Sequence, residues 1–202
     1  VVPVRVGSDI RWFLVFGNGP EEVVGYTEDT VGVVVIPLYL LTQSPRASLR
    51  IRDKSPESDE TGIIRGPHND AYVSTDFVSV DYDFDFFLDV LYFGEIKKPN
   101  NQSGGALSRL KIEGEENPKQ WEFKLMIDSD QDQPVTGAPN IGWYWDDIWI
   151  YFGTGRYWSD ADKTDVAVQS LYGIREPKFT NSNAYNFSTV PNTDSKLLNV
   201  TE

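Results

Sequence analysis

The segment IWIYFGTG, residues 148–155, is apolar at every position from Ile148 to Phe152 and then reaches glycine. Two other stretches read the same way, WFLVFGNG at 12–19 and DVLYFGE at 89–95. A strand with one wet face alternates apolar and polar residues, so a strand apolar at every position needs cover on both faces. In an antiparallel protein that cover comes from other sheets stacked against it. Blades of a β-propeller supply the arrangement, because their inner strands lie between neighbouring blades and converge on a narrow centre where glycine fits. A β-sandwich whose core strands happen to be alike is the competing arrangement.

The rest of the chain has the same grammar. Short runs of valine, isoleucine and aromatic residues are punctuated by glycine, proline, asparagine and aspartate, and helical periodicity is nearly absent. The expected fold class is all-β, a quinoprotein-like β-propeller portion of about three blades within a larger ring. Residues 1–202 read as a single domain fragment. Long, uneven gaps between the repeats imply insertions. Arg46–Pro67, charged and rich in serine and proline, reads as a loop excursion, and KKPNNQSGG at 97–105 as a turn between strands. Lys178–Ser195 reads as a polar linker or crossing segment with little core-forming content.

Composition narrows the function classes. The chain has no cysteine, which excludes disulfides, thiolate zinc sites and a cysteine nucleophile. One histidine, His68, cannot build a multi-histidine metal centre, and in the run GPHND it reads as a solvated loop residue. A formal charge of -13 opposes nucleic-acid binding, which needs a basic footprint. Such a surface suits an exported or surface-exposed protein, or one that binds cations. The longest apolar run, Val31–Leu41, is interrupted by Pro37 and falls short of membrane-spanning length.

Directly before the second Phe-Gly strand lies VDYDFDFFLD, residues 80–89, with aspartates at 81, 83, 85 and 89. A loop with this spacing can wrap carboxylate oxygens around a hard cation such as Ca2+, with Asp81, Asp83, Asp85 and Asp89 as side-chain ligands and the carbonyl of Phe87 filling a position between. The same residues also fit a half-buried strand with acids on the wet face and aromatics on the core face. Like charges stacked along one strand face destabilise each other, and the plain strand signal starts only at Val90. Against a full EF-hand, Phe86 stands where the sharp turn takes glycine, and Tyr92 where a bidentate glutamate closes the shell.

Other acidic groups carry weaker signals. Asp128, Asp130 and Asp132 alternate but lack a closing carboxylate, and Asp160, Asp162, Thr164 and Asp165 suit hydrogen-bonded turns. Asp146 and Asp147 are adjacent and, read as strand residues, would point to opposite faces, so they cannot flank one glycosidic bond. Trp143 and Trp145 would share a strand face, whereas Trp149 reads as core.

The downstream half resembles a known family. QPVTGAP at 133–139, then FGTGRY at 152–157, an acidic loop, and QSLYGI at 169–174 have the order and spacing of the C-terminal propeller of the PilY family, type IV pilus biogenesis factors and tip-associated adhesins. WFLVFGNG and the acidic loop with its following strand are similar to upstream elements of that family, and SKLLNV at 195–200 to a later strand. The resemblance implies a calcium site on Asp81, Asp83, Asp85, Asp89 and the Phe87 carbonyl, with no catalysis. It also implies a pilus-tip or outer-membrane location, and a role in pilus assembly, twitching motility and adhesion. Partners would be pilin subunits, other tip proteins, a host or abiotic surface, or the remainder of the propeller. An open set of blades would leave faces and edges exposed, to be covered by the rest of a ring or by another chain. The alternatives are a carbohydrate-binding propeller and a quinoprotein-like or glycoside-active enzyme. The lone histidine and the lack of a convergent acid pair speak against the enzyme.

Overall fold

Runs of β-branched and aromatic residues broken by turn-forming residues should pair as short antiparallel strands. The computed structural model describes residues 1–19, 30–42, 62–69, 71–97, 104–112, 117–129, 133–157, 160–179 and 182–187. They form three antiparallel sheets in chain order. The first has strands β1 (Val2–Val6), β2 (Asp9–Gly17), β3 (Thr30–Pro37) and β4 (Gly62–Asn69), paired in that order. A short helix, α1 (Leu38–Thr42), follows β3. In the second sheet β5 (Ala71–Val73) and β6 (Val78–Val80) both pair with β7 (Val90–Lys97), which pairs with β8 (Gly105–Lys111) and through it reaches β9 (Glu122–Asp128). The third sheet is β10 (Asn140–Tyr144), β11 (Asp147–Gly153) and β12 (Leu171–Arg175).

All three Phe-Gly segments are strands, and each is followed in its sheet by the next strand of the chain: β2 by β3, β7 by β8, β11 by β12. Their two-sided burial holds for β7 alone, because only the second sheet lies between two others. Leu91 and Phe93 face the first sheet and pack with Val4, Phe13 and Val33. Val90 and Tyr92 face the third and pack with Ile148, Ile150 and Ile174. On β2, Phe13 and Val15 point to the shared core, while Ile10 and Trp12 are exposed. On β11, Trp149 lies on the outer face stacked on Tyr151, not in the core. The three sheets do not close into a ring.

Glycine sets how closely the sheets approach. A Cβ on Gly17 would stand 2.3 Å from Cβ of Val73 in the second sheet, and one on Gly94 would stand 2.5 Å from Cγ1 of Val135, which leads into the third. At Gly153, the matching position of β11, nothing lies within 4 Å.

Two expectations about loops change. Residues 62–67 belong to β4, so the excursion read at 46–67 ends earlier, and its residues 46–61 lie outside the described residues. Within 178–195, Lys178 bridges to Tyr185, and Tyr185 and Phe187 are buried in the core between the second and third sheets. These two aromatic side chains tie residues 185–187 to that core. Residues 188–195 lie outside the described residues, as do 195–200 with the SKLLNV motif. No helix among the described residues is long and apolar enough to cross a membrane.

Two ionic groups join the sheets. Arg109 on β8 and Glu176 after β12, both with wholly buried side chains, form an ion pair across the second interface. Arg109 Nε also donates to the Phe187 carbonyl at 2.9 Å. Burial, with Glu176 beside it, pushes the Tyr92 phenol well above its ordinary value. His68 is not a solvated loop residue. It lies on β4 with Nδ1 2.8 Å from the buried Glu95 carboxylate of β7 and Nε2 3.1 Å from Asp128 of β9.

Removing one member of a buried ion pair strands the other in a dry interior. Arg109→Met is therefore expected to lower stability by about 3–5 kcal/mol in urea unfolding, and the double variant Arg109→Met/Glu176→Leu to recover most of that loss.

Candidate metal centre

Residues 81–89 connect β6 to β7 as a bent loop, not as a strand, and backbone donors explain why. Asp81 receives the N–H groups of Asp85 at 3.2 Å and Phe86 at 2.8 Å, and Asp83 Oδ1 lies 3.2 Å from the Asp85 nitrogen. Asp89 Oδ2 accepts from Tyr82 N at 2.7 Å, its own N–H donates to Val80 O, and its carbonyl accepts from Ile112 N. Aspartates that capture backbone N–H groups this way curl the chain. The curl places Phe84 at φ 61° and Phe86 at φ 71°, so Phe86 does occupy the glycine-type turn position. Left-handed backbone costs a side-chain-bearing residue roughly 1–2 kcal/mol.

The four aspartates divide. One carboxylate oxygen each from Asp81, Asp83 and Asp89 lie within 4.8 Å of one another, with Asp89 buried and Asp83 exposed. Asp85 is turned away: Oδ1 accepts from Phe87 N at 2.9 Å and Oδ2 pairs with Arg5 at 2.7 Å. Phe87 lies under the same guanidinium, 4.4 Å from its ring centroid. No local sequence signal announces Arg5, which arrives from β1, some 80 residues earlier. Three carboxylates with no thiolate or imidazole form a hard, all-oxygen donor set, which fits Ca2+, Mg2+ or Mn2+ and not zinc or copper. Withdrawal from water pushes Asp83 above its ordinary value, opposed by the Asp85 N–H and assisted by the carboxylates of Asp85 and Asp81.

The loop touches all three sheets. Leu88 N donates to Pro3 O of β1 at 3.0 Å, alongside the Arg5–Asp85 pair. The Phe84 ring packs 5.7 Å from that of Trp143 on β10, and Tyr82 packs edge-on against Tyr185 and Phe187.

The remaining candidates are otherwise engaged. Asp128 pairs with Lys97 at 2.6 Å and with His68, and Asp130 and Asp132 lie outside the described residues. Asp162 holds Arg156 at 2.8 Å, Asp160 pairs with Lys163, and Asp165 accepts from Ala167 N, so this group is a hydrogen-bonded turn. Asp147 pairs with Arg175 and Lys178, while Asp146 is in the turn between β10 and β11 and not in a strand. Trp145 shares that turn, so it does not share a strand face with Trp143.

The motifs of the downstream half meet in space. Gln133 accepts from the Tyr172 hydroxyl at 2.8 Å and donates to Ser170 Oγ at 3.1 Å. Gly155 N donates to Pro134 O at 2.7 Å, and Thr136 Oγ1 donates to Gly155 O at 2.6 Å. QPVT, FGTG and QSLYG thus form one hydrogen-bonded junction, which explains their joint spacing.

The fold and site define an all-β protein of three stacked antiparallel sheets with an acidic loop against all of them. Its solved structural neighbours include the Pseudomonas aeruginosa PilY1 C-terminal domain, with a TM-score of 0.52 and 17% sequence identity over 94% of this chain and 38% of that one. The chain has the fold of part of that domain, so the resemblance read from the strand motifs is supported at the level of fold. It spans less than two-fifths of that domain's length, since the match covers 38% of it. No protein-family model and no curated protein matches the sequence.

Two outcomes are expected in calcium-free buffer. Phe86→Gly relieves a left-handed backbone and should raise stability by up to about 1 kcal/mol in urea unfolding. Asp83→Asn removes a carboxylate whose value is raised in the folded protein, so ionisation of Asp83 opposes folding at neutral pH. The variant should melt higher than wild type at pH 7. That gain should fade as pH falls through the raised value towards the ordinary aspartate range, where both proteins carry a neutral side chain.

Proposed function

We propose that this protein is a calcium-binding β-propeller region of a type IV pilus-associated protein, acting by binding and not by catalysis. The observation that carries the reading is the position of the acidic loop: three convergent carboxylates stand on a loop that contacts all three sheets. An ion held by Asp81, Asp83 and Asp89 would relieve their repulsion and fasten the loop, and with it the seams on both sides of the second sheet. Asp85 would contribute through Arg5, by pinning the loop to β1.

The pilus assignment draws on the fold shared with the PilY1 C-terminal domain together with the strand motifs. On that reading the protein is exported, resides at the pilus tip or outer membrane, and supports pilus assembly, twitching motility and adhesion through pilin subunits or other tip proteins. The propeller reading draws on the glycines. Gly17 receives Val73 of the second sheet, Gly94 receives Val135 of the segment leading into the third, and Gly153 offers a similar opening to a sheet beyond the third. The concavity of about 360 Å3 lined by Gly17, Val73, Thr75 and Thr136, where the β2 end meets the second sheet, fits strand ends approaching a centre.

Calcium titration followed by melting tests the ion. If only the folded state binds, a hundredfold excess over Kd adds about 2.7 kcal/mol, and chelator removes it. Asp83→Ala and Asp89→Ala should abolish the response, whereas equal melting of wild type in calcium and in chelator would refute the site. For the propeller, Gly153→Val should leave this chain's melting temperature unchanged, whereas Gly94→Val lowers it by overpacking.

A further inference from the structure

The three sheets are laid out alike up to one position. On one side of its Phe-Gly strand each has an end strand: β1 in the first, β5 with β6 in the second, β10 in the third. On the other side the first sheet continues through β3 to β4, and the second through β8 to β9. The third stops at β12. Among the described residues, the seat that β4 and β9 hold in their sheets has no strand in the third.

Hydrogen bonding shows what that seat demands. Glu176 N donates to Ile148 O and Thr154 N to Ser170 O, which fixes the alternation along β12. Tyr172 and Ile174 turn their backbone groups to β11, so Leu171, Gly173 and Arg175 turn theirs outward. No hydrogen bond joins those three outward N–H and C=O pairs to another described residue. Gly173 is buried, with the Tyr151 ring standing where its side chain would be. Backbone groups withdrawn from water and left unmatched are costly, and another extended backbone matches them at strand spacing.

The β12 edge also lacks the devices that close an edge to association. It has no proline, lysine or bulge, and its Arg175 is engaged by Asp147. By contrast β1, at an end of the first sheet, contains Pro3, whose carbonyl accepts Leu88 N of the acidic loop.

We propose that the β12 edge is a docking site for an extended segment of a partner protein, which adds to the third sheet as its fourth strand. Backbone hydrogen bonds to Leu171, Gly173 and Arg175 supply the affinity. The strands seated there in the other sheets indicate the side-chain pattern. Ile64 of β4 and Phe123 of β9 pack against the neighbouring core, so the partner's residues beside Tyr172 and Ile174 are apolar and alternate with residues on the outer face. This goes beyond the calcium reading and requires neither the ion nor a sheet beyond the third.

Amide hydrogen exchange followed by NMR on the whole chain tests the edge, with an eight-residue peptide alternating valine and threonine as the probe. That peptide is uncharged, so the acidity of the protein does not draw it. In the protein alone, Leu171, Gly173 and Arg175 should exchange about tenfold or more faster than Tyr172 and Ile174, and the peptide should slow those three. The same peptide N-methylated at every residue, unable to donate, should bind about tenfold more weakly. Leu171→Pro removes one outward donor at the first residue of a strand, where proline is tolerated, and should weaken binding by about the same factor at an unlowered melting temperature. Leu171→Ser keeps the donor and should retain binding, and exchange in wild type decides if the proline variant fails to fold. Protection of the three amides in the protein alone would mean that its own chain fills the seat, and would overturn the proposal. So would absence of peptide binding, binding that leaves those amides unprotected, or equal binding by Leu171→Pro or of the methylated peptide.

Discussion

Covering β7 on both faces is the constraint from which the rest of the architecture follows. Its side chains alternate between two cores, one shared with the first sheet and one with the third, so neither outer sheet can be removed without exposing the middle one. Each large apolar side chain taken fully out of water contributes about 1.5–3 kcal/mol, and β7 supplies Val90, Leu91 and Phe93 to this account. Such stacking requires backbones to come close, which is why glycine ends β2 against Val73 of the second sheet and interrupts β7 against Val135 of the segment entering the third. An outer sheet meets the constraint on one side only. Trp12 and Tyr151 remain partly in water as a result.

Ionic groups inside this stack do what apolar packing alone does not. Apolar side chains tolerate many relative placements, whereas Arg109 and Glu176 meet in one. A one-residue slip of β8 would turn Arg109 to the other core, away from its partner, with a large penalty for the stranded charge. His68 acts similarly between the first and second sheets, placed between Glu95 and Asp128. These contacts lie on different seams, so each seam has its own register lock.

The acidic loop combines repulsion with fixed geometry. Backbone donors hold Asp81, Asp83 and Asp89 with their oxygens converging, although water would separate them. The strained phenylalanines follow from the same curl, since the turn that gathers carboxylates demands left-handed backbone at Phe84 and Phe86. With Phe84 of that loop against the third sheet and Arg5 of the first on Asp85, the loop ties both outer sheets to the middle one.

Local periodicity decides what a sequence can say by itself. Uninterrupted apolar runs ending at Phe-Gly identified three strands, and aspartate spacing distinguished a loop at 81–89 from a strand beginning at Val90, because both signals arise within a few residues of one another. Glu95 in β7 and Arg109 in β8 are buried with partners from elsewhere in the chain. Their identities did not follow, for Glu176 and His68 come from distant segments. For the same reason only the tertiary structure decided that Asp85 belongs to Arg5, that Trp149 lies outside the core, that 62–67 is strand, and that Tyr185 and Phe187 are buried in the second core. Which face of a strand is dry, and which carboxylate meets a cation, depend on what another part of the chain places opposite.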